Sequence, residues 1–174
     1  CMCFFFKQKT AYEIRPREWS SDVCSSDRED EAEVYTGCAG GVDSTASKQD
    51  SYVEGSGTCY EVAVKGLVGG HSGVDIDKGI ASAIKVLGEY LHEHHITQLA
   101  SMYAGERRNS IPANAVAIIR STSKLENTEL VKVRELTERP KVLGEGDRTL
   151  GMIHAFKHGV HAQNEELGIP DVSI

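Results

Sequence analysis

From Thr58 to Lys65 the chain alternates between two faces. Thr58, Tyr60, Val62 and Val64 fall on one side; Cys59, Glu61, Ala63 and Lys65 fall on the other. A period of two predicts a half-buried strand. The glycine-dense turn "GLVGGHSG" follows. Asp75 or Asp77 is then placed to cap a helix running to about His94, with Ile80, Ile84, Leu87 and Leu91 as its apolar stripe. Thr97 to Ala104 and Ala113 to Arg120 read as two more strands, separated by "GERRNSIP". A helix from about Leu125 to Arg139 is expected to stop at Pro140. A shorter one is expected from about Arg148 to Lys157. After Gly57 the order is therefore strand, helix, strand, strand, helix. That is most of an α+β ferredoxin-like β-α-β-β-α-β sandwich with its closing strand missing. Such a sheet is a common module and by itself specifies no chemistry.

The chain before Gly57 reads differently. Arg28 to Glu33 is acidic and leads into "EVYTG", a short strand candidate, and Gly37 to Gly57 is loop-like. Residues 1 to 26 show no period, caps or turn logic. Their codons offer another reading. Lys7 to Ile14 ("KQKTAYEI") resembles a translated sequencing flow-cell adapter. Trp19 to Asp27 ("WSSDVCSSD") resembles the matching read primer, with Arg15 to Glu18 as a barcode between them. The expected organisation is a non-native segment over 1–27, the tail of a first catalytic segment over 28–50, and a truncated lid over 51–174. The remainder reads as a piece of a longer gene, and Asp27 sits on the seam.

Setting aside 1–27 leaves the charge balance alone. That stretch holds four Lys/Arg (7, 9, 15, 17) and four Asp/Glu (13, 18, 22, 27), within a whole-chain formal charge of -7. The acidic balance and a pI near 5.5 argue against a nucleic-acid partner. No apolar run approaches the roughly 20 residues that cross a membrane. The cysteines, at 1, 3, 24, 38 and 59, are odd in number and form no CxxC pair. A reduced, cytoplasmic setting is the expectation.

Several stretches invite chemistry. "AGGVDST", Ala39 to Thr45, resembles the Ser-Gly-Gly-x-Asp-Ser loop of ATP pyrophosphatases, where backbone N–H groups cradle pyrophosphate. Such a loop needs a buried strand before it and a helix N-terminus after it. Neither flank supplies these, and a plain connecting loop is favoured. "HEHH", His92 to His95, closes an amphipathic helix, where imidazoles suit the macrodipole. His154, His158 and His161 have a zinc-like spacing, but Gly159 is expected to end the helix there. His71 stands between Gly70 and Ser72-Gly73 at a strand-to-helix turn, where glycines let backbone approach a ligand closely.

Four segments in collinear order then matter together: "EVYTGCAGGVDST", "VKGLVGGHSGVDIDKGIASAIKVL", "RRNSIPANA" and "HGVHAQNEELGIPDVS". They resemble the aminoacyl-histidine (Xaa-His, or β-alanyl-histidine) dipeptidase branch of the dizinc metallopeptidases. The likeness runs from about Asp27 to Ile174. Gly-Gly-His-Ser-Gly followed by Asn-x-Ile-Pro marks the superfamily, and Gly-Cys-Ala-Gly-Gly narrows it to this branch.

The resemblance implies an α/β parent enzyme with a dizinc catalytic domain, interrupted by a lid that forms a homodimer. Two zinc ions lower the pKa of a shared water and polarise the scissile carbonyl, and a neighbouring Glu takes the proton. Of the family's metal ligands only Asp27 maps onto this chain, and one carboxylate cannot hold two zincs. The chain alone is therefore expected to bind no catalytic zinc and to hydrolyse nothing. His71 maps onto the lid histidine that stabilises the developing oxyanion, a role worth about 3 kcal/mol by analogy with oxyanion-hole deletions. Asn109 and Arg108 map onto contacts to the substrate backbone or carboxylate. Glu106 and Arg107 stand where the family carries smaller residues. Two other readings are a non-catalytic dimerisation module and the nucleotide-binding loop.

Overall fold

The computed structural model describes residues 4–9 and 41–174. Strand β1 (Phe4–Lys9) pairs antiparallel with β2 (Gly41–Ala46) as a separate ribbon. Next come β3 (Tyr52–Val53), β4 (Thr58–Val64), β5 (Gly70–His71), a 3-10 turn (Ile76–Lys78) and α1 (Ala83–Glu93). They are followed by β6 (Gln98–Ala104), β7 (Ser110–Ile111), β8 (Ala115–Ser121), β9 (Val131–Leu136) and β10 (Val142–Leu143). Helix α2 (Gly146–Ala155) and the hairpin of β11 (Val160–Asn164) and β12 (Ile169–Ser173) end the described chain.

The main sheet has the order β6-β8-β4-β9 and is antiparallel throughout. Its centre follows from the alternation in the sequence. Tyr60, Val62 and Val64 of β4 and Ala115, Ala117 and Ile119 of β8 share one face and enter the core with Leu87 and Leu91 of α1. The opposite side of β4 is more sheltered than a half-buried strand requires, since Cys59 and Ala63 are buried too. In β6 the pairing shifts between Leu99 and Ser101. The extra residue lets Leu99, Met102 and Ala104 all pack toward the core while Tyr103 faces out.

Helix α2 packs on α1 and on β6. A Cβ at Gly88 would lie 3.0 Å from Ile153, and one at Gly146 would lie 3.0 Å from the Leu99 backbone, so glycine sets both approaches. Lys85 of α1 closes the far end of α2. Its ammonium donates to the carbonyls of His154 (2.6 Å), Phe156 (2.7 Å) and Ile153 (3.3 Å), which the helix leaves unpaired.

The α+β ferredoxin-like expectation holds, with three corrections. The segment expected as a helix over Leu125 to Arg139 instead supplies β9. Local helix formers lose to cross-strand pairing, in which Val131 and Val133 face the core and Arg134 reaches Glu61 at 2.9 Å. The closing strand thought missing is therefore present beside β4. The second helix follows it rather than preceding it. The crossover from β8 to β9 carries no helix. It is held by buried Leu125 and by the Tyr90 hydroxyl, which donates to the Glu126 carbonyl at 2.7 Å. The third correction concerns α1, which starts at Ala83, later than expected. Gly79 turns left-handed (φ 66°) after the 3-10 turn, and the Ala83 N–H donates to the Pro112 carbonyl, so neither Asp75 nor Asp77 caps the helix.

Gly57, at the entry to β4, has φ 82°, and a Cβ there would lie 2.2 Å from the Ser121 carbonyl oxygen. Gly57→Ala is expected to destabilise the fold by at least about 3 kcal/mol, combining left-handed strain with backbone displacement. Urea unfolding of the two proteins measures it.

Candidate functional site

Where β4 ends at Val64 it lies opposite Ala115, where β8 begins. The chain leaving one strand and the chain entering the other therefore run side by side beyond the sheet. They stay joined there. The Leu67 N–H donates to the Ala113 carbonyl at 3.2 Å, and the Ser72 N–H donates to the Asn109 carbonyl at 2.9 Å. Between those contacts Gly70 pairs with Ile111 and His71 with Ser110. The Gly66 N–H donates to the Asn114 side chain at 3.0 Å, and the Asn114 amide donates to Glu106 at 2.6 Å. That last bond holds the Glu106 carboxyl below its usual range. Residues 66–72 and 109–114 thus form one two-stranded flap with His71 on it.

The flap brings together three residues singled out in the sequence. His71 sits across from Ser110, next in the chain to Asn109 and Arg108, and the Asn109 and Arg108 side chains are exposed. The fourth, Asp27, lies outside the described residues.

The His71 ring folds back onto its own loop. Nδ1 accepts from the N–H of Gly73 at 3.1 Å and of Val74 at 3.2 Å. A backbone N–H can only donate, so Nδ1 presents its lone pair and the neutral ring carries its hydrogen on Nε2. The residue that shapes this loop is Asp75. Its carboxylate accepts from the His71 N–H at 2.6 Å, while its own N–H donates to the His71 carbonyl at 2.9 Å. Lys78 holds the other carboxylate oxygen at 2.6 Å. The Lys78 bond first, then the His71 N–H, keep the Asp75 carboxyl below its ordinary 3.8. These contacts are therefore fully formed above about pH 4 and weaken as pH falls through the lowered value. Sequence reasoning assigned Asp75 to a helix cap; the usable signal was its position four residues after a histidine in a glycine-rich turn.

Three of the other histidines stack on neighbouring rings. His92 stacks on His154 (ring centroids 3.8 Å apart), and His94 stacks on Tyr90 while bonding its carbonyl at 2.8 Å. Helix α2 ends at Ala155, earlier than expected, so His158 is not on the same helix face as His154. Burial pushes the His158 imidazole down. Among the described residues no three His, Cys, Asp or Glu side chains come together as a metal site. The pyrophosphate-loop reading of Ala39 to Thr45 fails on geometry. Gly41–Ala46 is a strand, and the chain goes on to β3 with no helix N-terminus behind it.

Residues 62–142 match the family model described as a peptidase dimerisation domain. The chain is 37% identical over 103 residues to the cytosol non-specific dipeptidase of Escherichia coli (strain K12), an overlap of 56% of this chain and 21% of that protein. It also superposes on the crystal structure of aminoacylhistidine dipeptidase from Vibrio alginolyticus with a TM-score of 0.56 and 22% identity. That match covers 72% of this chain and 31% of that one, and at such identity it shows the fold. The chain spans about a fifth of the length of the first relative and about a third of the second. The resemblance drawn from the motifs is borne out at this level: residues 62–142 match a peptidase dimerisation domain, and the matched relatives are dipeptidases.

Gly70 admits the Asp75 carboxylate, since a Cβ there would lie 3.0 Å from Asp75 Cβ and 2.9 Å from Ile80 Cδ1. Gly70→Ala is expected to cost about 1–3 kcal/mol by overpacking. The His71 amide should then exchange with deuterium markedly faster, while the β4 and β8 amides keep their protection. Hydrogen-exchange NMR reads both.

Proposed function

We propose that this chain is the lid and dimerisation region of a cytoplasmic dipeptidase, and that His71 is its contribution to catalysis. The observation that supports this most directly is the ring geometry. With Nδ1 satisfied by two backbone donors, Nε2–H is the free donor on a glycine-rich flap beside Asn109 and Arg108. A donor fixed in that way can stabilise an oxyanion that forms as water adds to a peptide carbonyl, and it strengthens as negative charge builds. Asn109 and Arg108 then bind the backbone and carboxylate of a dipeptide. Xaa-His dipeptides are within the proposed substrate range, alongside others.

Two zinc ions per active site are part of the proposal for the whole enzyme, where they would activate the attacking water. The described residues do not fit such a pair: no ligand cluster forms, and His71 Nδ1 is already occupied. The chain by itself is proposed to be inactive, its contribution being the donor and the substrate contacts.

The test uses the full-length protein, assayed on β-alanyl-histidine and on a dipeptide without histidine, with and without a chelator. Chelator-sensitive cleavage is expected, and its absence would remove the reading. His71→Ala should lower kcat about 10²- to 10³-fold with zinc content unchanged. Loss of zinc in that variant would make His71 a ligand instead.

A homodimer is also proposed. It is supported by the family match over 62–142 and by β6, one of the two outer strands of the main sheet, which exposes Tyr103. Light scattering at micromolar concentration should give twice the chain mass, whereas a monomer at every concentration counts against it.

A further inference from the structure

We propose that Asp75 is a positioning residue whose carboxylate, held by Lys78, locks His71 into its Nε2–H tautomer. The aim of this lock rests on the oxyanion role proposed for His71; the lock itself is a property of the flap.

The argument starts from the closure of the loop. His71 and Asp75 are joined twice, by the Asp75 N–H on the His71 carbonyl and by the His71 N–H on the Asp75 carboxylate. Two bonds between the same pair leave residues 72–74 little freedom. Inside the closed loop the N–H groups of Gly73 and Val74 both converge on His71 Nδ1. A histidine in water distributes its hydrogen over both ring nitrogens. Here the Nδ1–H form would set its hydrogen against two backbone donors, so the loop excludes it. Among the described residues none accepts from Nε2.

The charge on Asp75 adds a further control. Lys78 lies one 3-10 turn later, and its N–H donates to the Asp75 carbonyl at 3.1 Å while its ammonium reaches Oδ1. The ion pair ties the carboxylate to the turn that follows, so the loop is anchored from both sides. Packing cannot do this, because the loop is built of glycine and small residues. The Asp75 carboxylate bonds the His71 backbone and Lys78 and makes no bond to the ring, so it acts through the ring's orientation and not on the substrate.

The tautomer is read directly by long-range ¹H–¹⁵N correlation of the imidazole in the full 174-residue chain at alkaline pH, where the ring is neutral. In the unaltered chain we expect one protonated nitrogen, Nε2, and one bare nitrogen, Nδ1. Asp75→Ala should draw the two ¹⁵N resonances toward each other as both tautomers become populated. Asp75→Asn, whose amide oxygen still accepts from the His71 N–H but whose NH2 cannot accept from Lys78, should move less than Asp75→Ala and about as far as Lys78→Met. Lys78→Met should give a smaller displacement in the same direction, and it decides the matter if Asp75→Ala does not fold. An Nδ1–H ring in the unaltered chain would overturn the proposal. So would resonances that stay put in Lys78→Met and in a folded Asp75→Ala. None of these outcomes depends on peptidase activity, so failure here and failure of the proposed function are told apart.

Discussion

The pairing of Thr58–Val64 with Ala115–Ser121 is the contact on which the rest depends. Its register runs from Thr58 opposite Ser121 to Val64 opposite Ala115. The alternation of apolar residues on both strands enforces that register, because a slip of one residue would turn Tyr60, Val62 and Val64 away from α1. Once Val64 and Ala115 are opposed, the two segments beyond them must start side by side. The flap follows as an extension of the same antiparallel geometry, and His71 meets the Asn109 segment because the core has already placed the two strands. Core packing and site assembly are in this sense one constraint read at two distances from the sheet.

Legibility along the chain tracks how strongly tertiary pairing overrides local preference. Thr58–Val64 was readable because its alternation is nearly perfect. The β6 and β8 strands were readable within two residues. Val131–Leu136 was not, since "ELVKVREL" is rich in helix formers and its alternating valines span too few residues to outweigh them. What decides it is the vacant edge of β4, whose Glu61 and Val62 pair with Arg134 and Val133. That information lies some seventy residues away. The late start of α1 has a similar cause: Asp75 has the composition of a cap, but its carboxylate is engaged by the His71 N–H.

Within the site, the histidine was legible and its support was not. Glycines on both sides of His71 signal an uncrowded position. The proximity of His71 to Asn109 and Arg108 was reachable only through a likeness between whole motifs. The role of Asp75 needed coordinates, because a carboxylate four residues on suits a helix cap, an ion pair and a loop clamp equally well. Short ladders such as Gly70–His71 with Ser110–Ile111 are likewise too brief to show a period.

A flap proposed to present a donor to a reacting carbonyl faces opposing demands. It must be slight enough to approach the substrate, which favours glycine, and rigid enough to avoid reorganising as charge develops, which glycine opposes. The His71 loop meets both by replacing side-chain packing with hydrogen bonds. Gly73 and Val74 hold the ring, Asp75 holds the backbone of His71, and Lys78 holds Asp75. The ionic link also explains why an acidic residue is used where a serine could accept the same N–H. A carboxylate offers separate oxygens to His71 and to Lys78, and its charge strengthens both bonds at neutral pH. Rigidity and access are then supplied by the same few atoms.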